Sequence, residues 1–283
     1  MKYINYTRNS EGFTLIELSI VLVIIALLIG GIMTGRELIN QAKIKGDISQ
    51  IIKFNAAINT FQMKYNALPG DFAQALQFIP ATNGTIINGD GNGLIGGASG
   101  STTPLATSVN GGGMTYNTEY FNFWNHLSSL NLIEGYYPSI SSYGWAVNYY
   151  PGSGGIPASI SDITFGIVVV GNKADMLNYY FLSFDGYIND NFKMVRYMYT
   201  AENALNIDTK LDDGNPISGI VVARGFAGGA GSISYVDGKA IVNGLSNLGG
   251  SGCLVGTTYS SSSTRYNTIG NNSKQCALRI RVN

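Results

Sequence analysis

Gly12-Phe13-Thr14-Leu15-Ile16-Glu17 begins the stretch that decides the fold of this chain, because the residues behind it, 18–33, are apolar and carry no charge. The segment in front of it is short and contains the basic residues Lys2 and Arg8. In an ordinary secretory signal the cleavage site follows the apolar run, which is then discarded. Here the small residue Gly12 precedes the run, so a cut after Gly12 would leave the apolar run as the new N-terminus.

This arrangement resembles the class III signal of type IV pilins and type II secretion pseudopilins, whose motif is Gly-Phe-Thr-Leu-Ile-Glu. The match is uninterrupted over residues 12–17 and continues into the apolar run. The resemblance implies that prepilin peptidase cuts after Gly12 and N-methylates Phe13. It also implies that the Glu17 carboxylate pairs with the new α-ammonium of Phe13 on a neighbouring subunit, since an ionised group in lipid is costly without a partner. The alternative for Glu17 is an acid at the membrane interface without a partner.

A single long helix is predicted behind the motif. Residues 13–33 are long enough to cross a bilayer, which takes about 20 residues as a helix. Apolar residues then recur at spacings of three and four, as on a helix facing a core: Ile44, Ile48, Ile51, Phe54, Ile58, Phe61 and Tyr65. Pro69 and Gly70 follow as stop signals. We therefore divide the chain into a leader (1–12), a transmembrane or polymerisation half of the helix (13–35), an amphipathic half (36–66) and a head (67–283).

The head is predicted to be an α+β domain in which the long helix packs on a mainly antiparallel sheet, with loop and helix insertions, as in pilins. Runs rich in β-branched and aromatic residues predict strands at 143–150, 163–170, 177–185, 219–226, 232–237 and 276–282. Helical spacing predicts helices at 71–78, 119–131 and 200–213. A Gly, Asn, Ser and Thr tract between the first two predicts a long irregular loop.

Two cysteines, Cys253 and Cys276, lie near the C-terminus, and their spacing matches no zinc pattern. The residues leave two possibilities, a disulfide that stabilises an exported head by roughly 3 kcal/mol or two buried free thiols. The resemblance to type IV pilins implies the disulfide, because their heads carry a C-terminal disulfide loop.

Asn88, Asp90 and Asn92 resemble the start of a calcium loop, with oxygen-bearing side chains at alternate positions and a glycine sixth. An EF-hand would require Glu at position 99, where the chain has Ser99. A Gly-rich turn is the favoured interpretation, with Ca²⁺ kept as a weak alternative.

A second acidic group consists of Asp208, Asp212 and Asp213, which we interpret as a solvated helix end.

Residues 204–216 contain Ile-Asp-Thr-Lys-Leu-Asp-Asp-Gly-Asn-Pro, which is similar to strings in the heads of prepilin-like proteins of Gram-negative bacteria. Physically this string is a helix end followed by a turn.

The chain also contains three tyrosine pairs, at 136–137, 149–150 and 179–180. Each pair places rings on both faces of an extended segment, so some rings are expected to be exposed for partners.

Composition and motifs exclude several functions. Net charge is zero and charged residues make up 12% of the chain, so no basic face is available for nucleic acid. The one histidine, His126, is expected to be a packed or surface side chain of an aromatic-rich helix, and no catalytic motif occurs. We expect neither an enzyme nor a resident cofactor.

The sequence predicts a structural subunit of a type IV pilus-like filament, and the size of the head favours a minor or specialised pilin. The alternatives are a pseudopilin of a type II secretion system and a membrane-tethered adhesin that does not polymerise. The expected partners are prepilin peptidase, other pilin or pseudopilin subunits, and the inner membrane with its assembly platform. Because Lys2 and Arg8 favour a cytoplasmic N-terminus, the head is expected in the periplasm and then in the filament.

Overall fold

The computed structural model describes residues 12–96, 119–138, 156–164, 166–172, 176–184, 198–225, 234–236, 239–241, 253–255, 265–269 and 276–282. Two features of the sequence analysis lie outside these residues: Ser99, and the predicted strand 143–150 with Tyr149 and Tyr150. Contacts between residues divide the chain into two units, Met1–Lys43 and Ile44–Asn283.

The predicted long helix is present as α1, Leu15–Tyr65. It contains no proline, and it continues without a break through the two glycines at positions 30 and 31. From Ile44 onwards the apolar stripe predicted from the spacing is buried, with Ile58 and Phe61 fully enclosed, except that Ile48 and Tyr65 are half-buried. α1 ends where Asn66 takes a left-handed conformation (φ 49°), a backbone geometry that commonly terminates helices.

Three shorter helices lie where they were predicted: α2 (Ala75–Phe78), α3 (Glu119–Ser129) and α4 (Ala201–Leu211). Thr200 caps α4, because its hydroxyl accepts a hydrogen bond from the Asn203 N–H at 3.2 Å. The chain leaves α4 through Gly214, whose φ of 75° favours glycine.

The strands are β1 (Gly166–Asn172), β2 (Leu177–Phe184), β3 (Val221–Gly225), β4 (Ser234–Val236), β5 (Lys239–Ile241), β6 (Leu254–Val255), β7 (Arg265–Tyr266) and β8 (Cys276–Arg281). The main sheet has the order β1-β2-β8-β3 and every pair is antiparallel, as expected. β8 lies between β2 and β3, with Tyr180 opposite Ile280 and Ala223 opposite Leu278. Two pairs, β4 with β5 and β6 with β7, form separate two-stranded sheets.

The prediction for β1 began three residues too early. The Asp162 side chain accepts hydrogen bonds from the Thr164 N–H at 3.2 Å and the Thr164 hydroxyl at 2.6 Å. Such a local turn competes with strand pairing, so the strand begins only at Gly166. Strands β5, β6 and β7 were not predicted, because two or three residues carry too little periodicity to be recognised.

The core of the head lies between α1, α3 and the main sheet. Phe54 of α1 packs against Trp124 of α3, with ring centroids 4.7 Å apart, and against Tyr180 of β2 at 6.4 Å. The Tyr180 hydroxyl donates to the Asn55 side-chain oxygen at 2.7 Å, so the sheet is joined to α1 by a polar contact as well. These contacts complete the predicted pilin-like arrangement of a long helix against an antiparallel sheet.

Every residue of α3 is buried, not only the aromatic face that the spacing predicted. The polar face of the helix is covered by residues 82–96, which we call the strap. The Thr82 hydroxyl donates to the Ser129 carbonyl at 2.9 Å, and the Asn125 amide donates to the Asn83 carbonyl at 2.6 Å. The strap therefore supplies polar partners that water would supply on an exposed helix.

Candidate functional site

The bond between Gly12 and Phe13 lies in exposed backbone, two residues before α1 begins. Among the described residues, no atom other than those of Gly12 and its chain neighbours comes within 4 Å of a Cβ built at Gly12, and 92% of the Phe13 surface is exposed. A protease can reach this bond without unfolding a helix or a core.

Thr14 and Glu17 form a capping box at the start of α1. The Glu17 carboxylate accepts hydrogen bonds from the Thr14 N–H and the Thr14 hydroxyl, both at 2.8 Å, and the Glu17 N–H donates to the Thr14 hydroxyl oxygen at 3.3 Å. This reciprocal pair satisfies backbone donors that otherwise lack partners at a helix start. Glu17 thus has a local structural role that is independent of any role in assembly.

The part of α1 that precedes Ile44 is almost uncovered. Leu18, Leu22 and Leu27 expose more than half of their surface, and the other large apolar residues from Ile20 to Met33 expose between 45% and 68%. By length and composition, α1 is the described helix that can cross a membrane. A continuous apolar surface of this extent in a soluble protein marks contact with a partner or a membrane.

The predicted disulfide is present between Cys253 and Cys276, with the two Cα atoms 5.1 Å apart. Both cysteines are completely buried. Cys276 begins β8 and exchanges backbone hydrogen bonds with Tyr199, at 3.1 and 2.9 Å. The disulfide therefore ties the β6 region to the central strand of the main sheet.

Asp47 forms a buried polar network that the sequence reasoning missed. Its carboxylate accepts hydrogen bonds from the Ser159 hydroxyl at 2.8 Å, the Ser161 N–H at 2.9 Å and the Tyr199 hydroxyl at 2.7 Å. Burial raises the pKa of Tyr199 well above its ordinary value, and the neighbouring Asp47 charge adds to this effect. One turn further on, Gln50 donates to the Ala158 carbonyl at 2.7 Å. Residues 158–161 are thereby attached to α1.

The three predicted calcium ligands hydrogen-bond within their own part of the chain. Asn88 accepts from the Leu76 N–H at 2.9 Å, Asp90 from the Asn92 N–H at 3.0 Å, and Asn92 from the Leu94 N–H at 2.7 Å. The Asp90 and Asn92 contacts are those of a Gly-rich turn, the interpretation favoured from the sequence, whereas Asn88 contacts α2, twelve residues earlier.

Asp90 is also close to two acids that the sequence reasoning did not connect with it. One carboxylate oxygen from each of Asp71, Asp90 and Glu119 lies within 4.8 Å of the others. Asp71 and Glu119 are buried, whereas Asp90 is exposed. Burial raises the pKa of Asp71 to about 6 and that of Glu119 to about 7.

The interpretation of Asp208, Asp212 and Asp213 as a solvated helix end is wrong for Asp208, which is completely buried. Asp208 accepts from the Tyr266 hydroxyl at 2.7 Å and from the Gly214 N–H at 3.1 Å. Burial raises the pKa of Asp208 to about 6. Asp212 accepts from the Ile220 N–H, so the group joins the end of α4 to β7 and to the start of β3.

The tyrosine pairs follow the prediction only in part. Tyr136 is exposed and Tyr137 is half-buried. Tyr179 and Tyr180 are both buried, because β2 has covered faces on both sides: Tyr180 faces the core, and the Arg279 guanidinium lies 4.1 Å from the centre of the Tyr179 ring. Tyr179 and Tyr180 are therefore not available to partners.

Comparison with known proteins identifies the N-terminal region. A family model described as the prokaryotic N-terminal methylation motif matches residues 7–33. No curated protein and no solved structure matches the chain. The methylation motif, the long apolar helix and the disulfide are consistent with a type IV pilin or pseudopilin that has a prepilin-type N-terminus.

Proposed function

We propose that this chain is a structural subunit of a type IV pilus-like filament, and that prepilin peptidase removes residues 1–12 before assembly. The observation that carries the proposal is the methylation motif in front of an uncovered apolar helix. Apolar surface exposed to water costs about 25 cal/mol per Å². The bilayer would cover this surface before assembly, and the helices of neighbouring subunits would cover it in the filament.

The head in this proposal lies in the periplasm and then in the filament, with the assembly platform in the inner membrane as a partner. Its size favours a minor or specialised pilin over a shaft subunit. The head has a structural role, without catalysis and without a resident cofactor.

Glu17 is proposed to pair with the methylated α-ammonium of Phe13 on the neighbouring subunit. Two opposite charges in a low-dielectric filament core fix the axial register of the subunits, since leaving either one alone is costly. The capping box offers a competing explanation for the same residue, because Thr14 already occupies the carboxylate. A test must therefore separate the charge of Glu17 from its function as a cap.

Two variants separate these roles. Glu17→Gln retains an oxygen that can accept from the Thr14 N–H, as Gln does in natural capping boxes, but removes the charge. Thr14→Ala removes the hydroxyl half of the cap and keeps the charge. We expect Glu17→Gln to insert into the membrane, to be cleaved, and to be absent from sheared filaments, whereas Thr14→Ala assembles.

The measurements are membrane fractionation, mass spectrometry of the mature N-terminus and immunoblotting of sheared filaments. Wild-type levels of Glu17→Gln in filaments would overturn the charge-pair proposal. A mature N-terminus other than N-methylated Phe13 would overturn the proposed processing. Chain that is processed but never found in any filament would favour a membrane-tethered adhesin.

A pseudopilin of a type II secretion system is the second candidate. The Cys253–Cys276 disulfide favours the pilus, and Glu17 argues against a tip pseudopilin, which characteristically lacks that acid. Loss of protein export on deletion, with pili unaffected, would favour the secretion system.

A further inference from the structure

The strap, residues 82–96, is attached to the body of the head by two chemically different sets of contacts. Its first part contacts α3 through uncharged groups, including the His126 ring, whose Nε2 lies 3.0 Å from the Ile87 carbonyl oxygen. In its second part, residues 89–96, half of the backbone N–H groups donate to buried carboxylates. The two parts are therefore expected to respond differently to pH.

His126 is fixed as a neutral ring. The Gly70 N–H donates to Nδ1 at 3.0 Å, so Nε2 carries the proton and donates to the Ile87 carbonyl. Phe61 stacks on the ring, and burial lowers the pKa of His126 to about 4. The His126 ring, which holds this end of the strap, therefore does not change protonation between pH 6 and pH 8.

Two buried carboxylates hold the second part. Asp71 accepts from the Asn92 N–H at 3.0 Å and the Gly93 N–H at 2.8 Å. Glu119 accepts from the Asp90 N–H at 2.9 Å and the Gly96 N–H at 2.7 Å. Four strap amides thus depend on two acids that lie next to each other and next to Asp90.

Among the residues that the structure describes, the charges that act on this cluster have the same sign as the cluster. Besides burial, the charges of Asp71 and Asp90 raise the pKa of Glu119, and the neighbouring Asp90 side chain raises the pKa of Asp71. From β2 the neighbouring side chain is the uncharged Asn178, which accepts from the Ile95 N–H at 2.8 Å. At the end of α1, Lys64 is exposed, with its ammonium 5.0 Å from the centre of the Tyr65 ring.

Three ionised carboxylates at this separation repel one another strongly when two of them are buried. A proton retained between them relieves the repulsion and leaves oxygen lone pairs free to accept from the strap amides. The backbone N–H donors favour ionisation, but burial outweighs them at both Asp71 and Glu119.

We propose that a proton held within the Asp71–Asp90–Glu119 cluster keeps residues 89–96 seated on the head, and that its loss as the pH rises from about 6 to about 8 loosens this part of the strap while residues 82–87 stay in place. The proposal concerns the head alone and stands whether or not the chain polymerises. An exported head meets the pH of its surroundings, so the strap would respond to that pH directly.

Hydrogen–deuterium exchange of the full chain in detergent tests this proposal, with rates divided by the intrinsic rate at each pH. From about pH 6 to about pH 8, protection of residues 89–96 is expected to fall about tenfold, as for the loss of one proton over a pH unit. Protection of α3, which residues 82–87 contact, and protection of β8 are expected to stay constant. Unchanged protection of residues 89–96 overturns the proposal, and so does an equal loss in all three segments.

Asp90→Asn is the decisive variant, because Asp90 is exposed and its replacement keeps an oxygen that can accept from the Asn92 N–H. We expect this variant to lose less protection than the wild type between about pH 6 and about pH 8, because one of the two charges that raise the pKa of Glu119 is gone while burial still acts on it. Asp162→Asn is the matched control, since Asp162 also accepts from a backbone N–H two residues ahead but lies outside the cluster. If both variants keep the pH dependence of the wild type, the proposal is wrong.

A cation could neutralise the same cluster, and the experiment distinguishes the two cases. The exchange series is repeated in EDTA and in millimolar CaCl₂. Under the proposal, protection at about pH 6 is the same in EDTA as in buffer. If EDTA removes the protection at this pH and Ca²⁺ restores it, the cluster binds a cation and not a proton, and the proposal is wrong.

Discussion

Replacing Asp47 by alanine gives a strong test of how the head is attached to α1. Asp47 is 1% exposed, and its carboxylate is the common acceptor for Ser159, Ser161 and Tyr199. The Tyr199 hydroxyl and the Ser159 hydroxyl are themselves buried. Alanine would leave these donors without their acceptor in a site that water cannot readily enter.

The expected loss follows from these contacts. A buried donor without a partner costs about 1–3 kcal/mol, and Asp47→Ala leaves three donors without their acceptor. We expect Asp47→Ala to lower the free energy of unfolding by about 4 kcal/mol. For a domain of this size, that corresponds to a drop in Tm of about 10 °C.

Thermal unfolding of the full chain in detergent, followed by near-ultraviolet circular dichroism, measures this loss. Asp47→Asn retains an acceptor for Ser159 and Ser161 and should lose less than half as much. Glu37→Ala removes an exposed acid of the same helix and should stay within about 0.5 kcal/mol of the wild type. If Asp47→Ala unfolds at the temperature of Glu37→Ala, the network does not hold residues 158–161 in the way described.

Two further predictions concern the head. Replacing both Cys253 and Cys276 by serine should lower the free energy of unfolding by about 3 kcal/mol, from loop entropy at a sequence separation of 23 residues, as measured by the urea midpoint. An unchanged midpoint would contradict this. His126, with its pKa lowered to about 4 from 6.5, contributes stability that is present above pH 6.5 and is lost as pH falls towards 4. The stability difference between the wild type and His126→Gln should therefore shrink over this range in urea unfolding at a series of pH values, and a constant difference would refute the assignment.

The long helix could be predicted from the sequence because its determinants are local. Apolar residues repeat at three and four positions, proline is absent, and Asn66 with Pro69 marks the end. The capping box was also readable, since Thr14 and Glu17 stand in the Ser/Thr-x-x-Glu pattern. It was overlooked because the family resemblance supplied a different role for Glu17.

Asp47 shows a signal that was present but not used. It lies three residues after Ile44 and four before Ile51, which places it within the buried stripe of α1. A charged residue in an apolar stripe predicts a buried partner, although the partner itself cannot be predicted from spacing. Ser159 and Tyr199 are more than a hundred residues away, and only the fold brings them to Asp47.

The carboxylate cluster could not be predicted for the same reason. Asp71, Asp90 and Glu119 belong to three segments that have no common period, and Asp90 was assigned to a local loop motif. The strap brings them together because Gly89 can lie against the backbone of Asp71, where a Cβ would come within 2.3 Å of the Asp71 Cα atom. A glycine needed for close approach is indistinguishable in sequence from the other glycines of a loop.

Two acids of α1, Glu17 and Asp47, differ in where their partners come from. The partner of Glu17 within the chain is three residues away, so substituting Glu17 perturbs only the first turn of the helix. The partners of Asp47 come from the head. A Glu17 variant with wild-type head stability that fails to assemble would therefore locate the defect between subunits. An Asp47 variant that fails to assemble would first have to be shown to have a folded head.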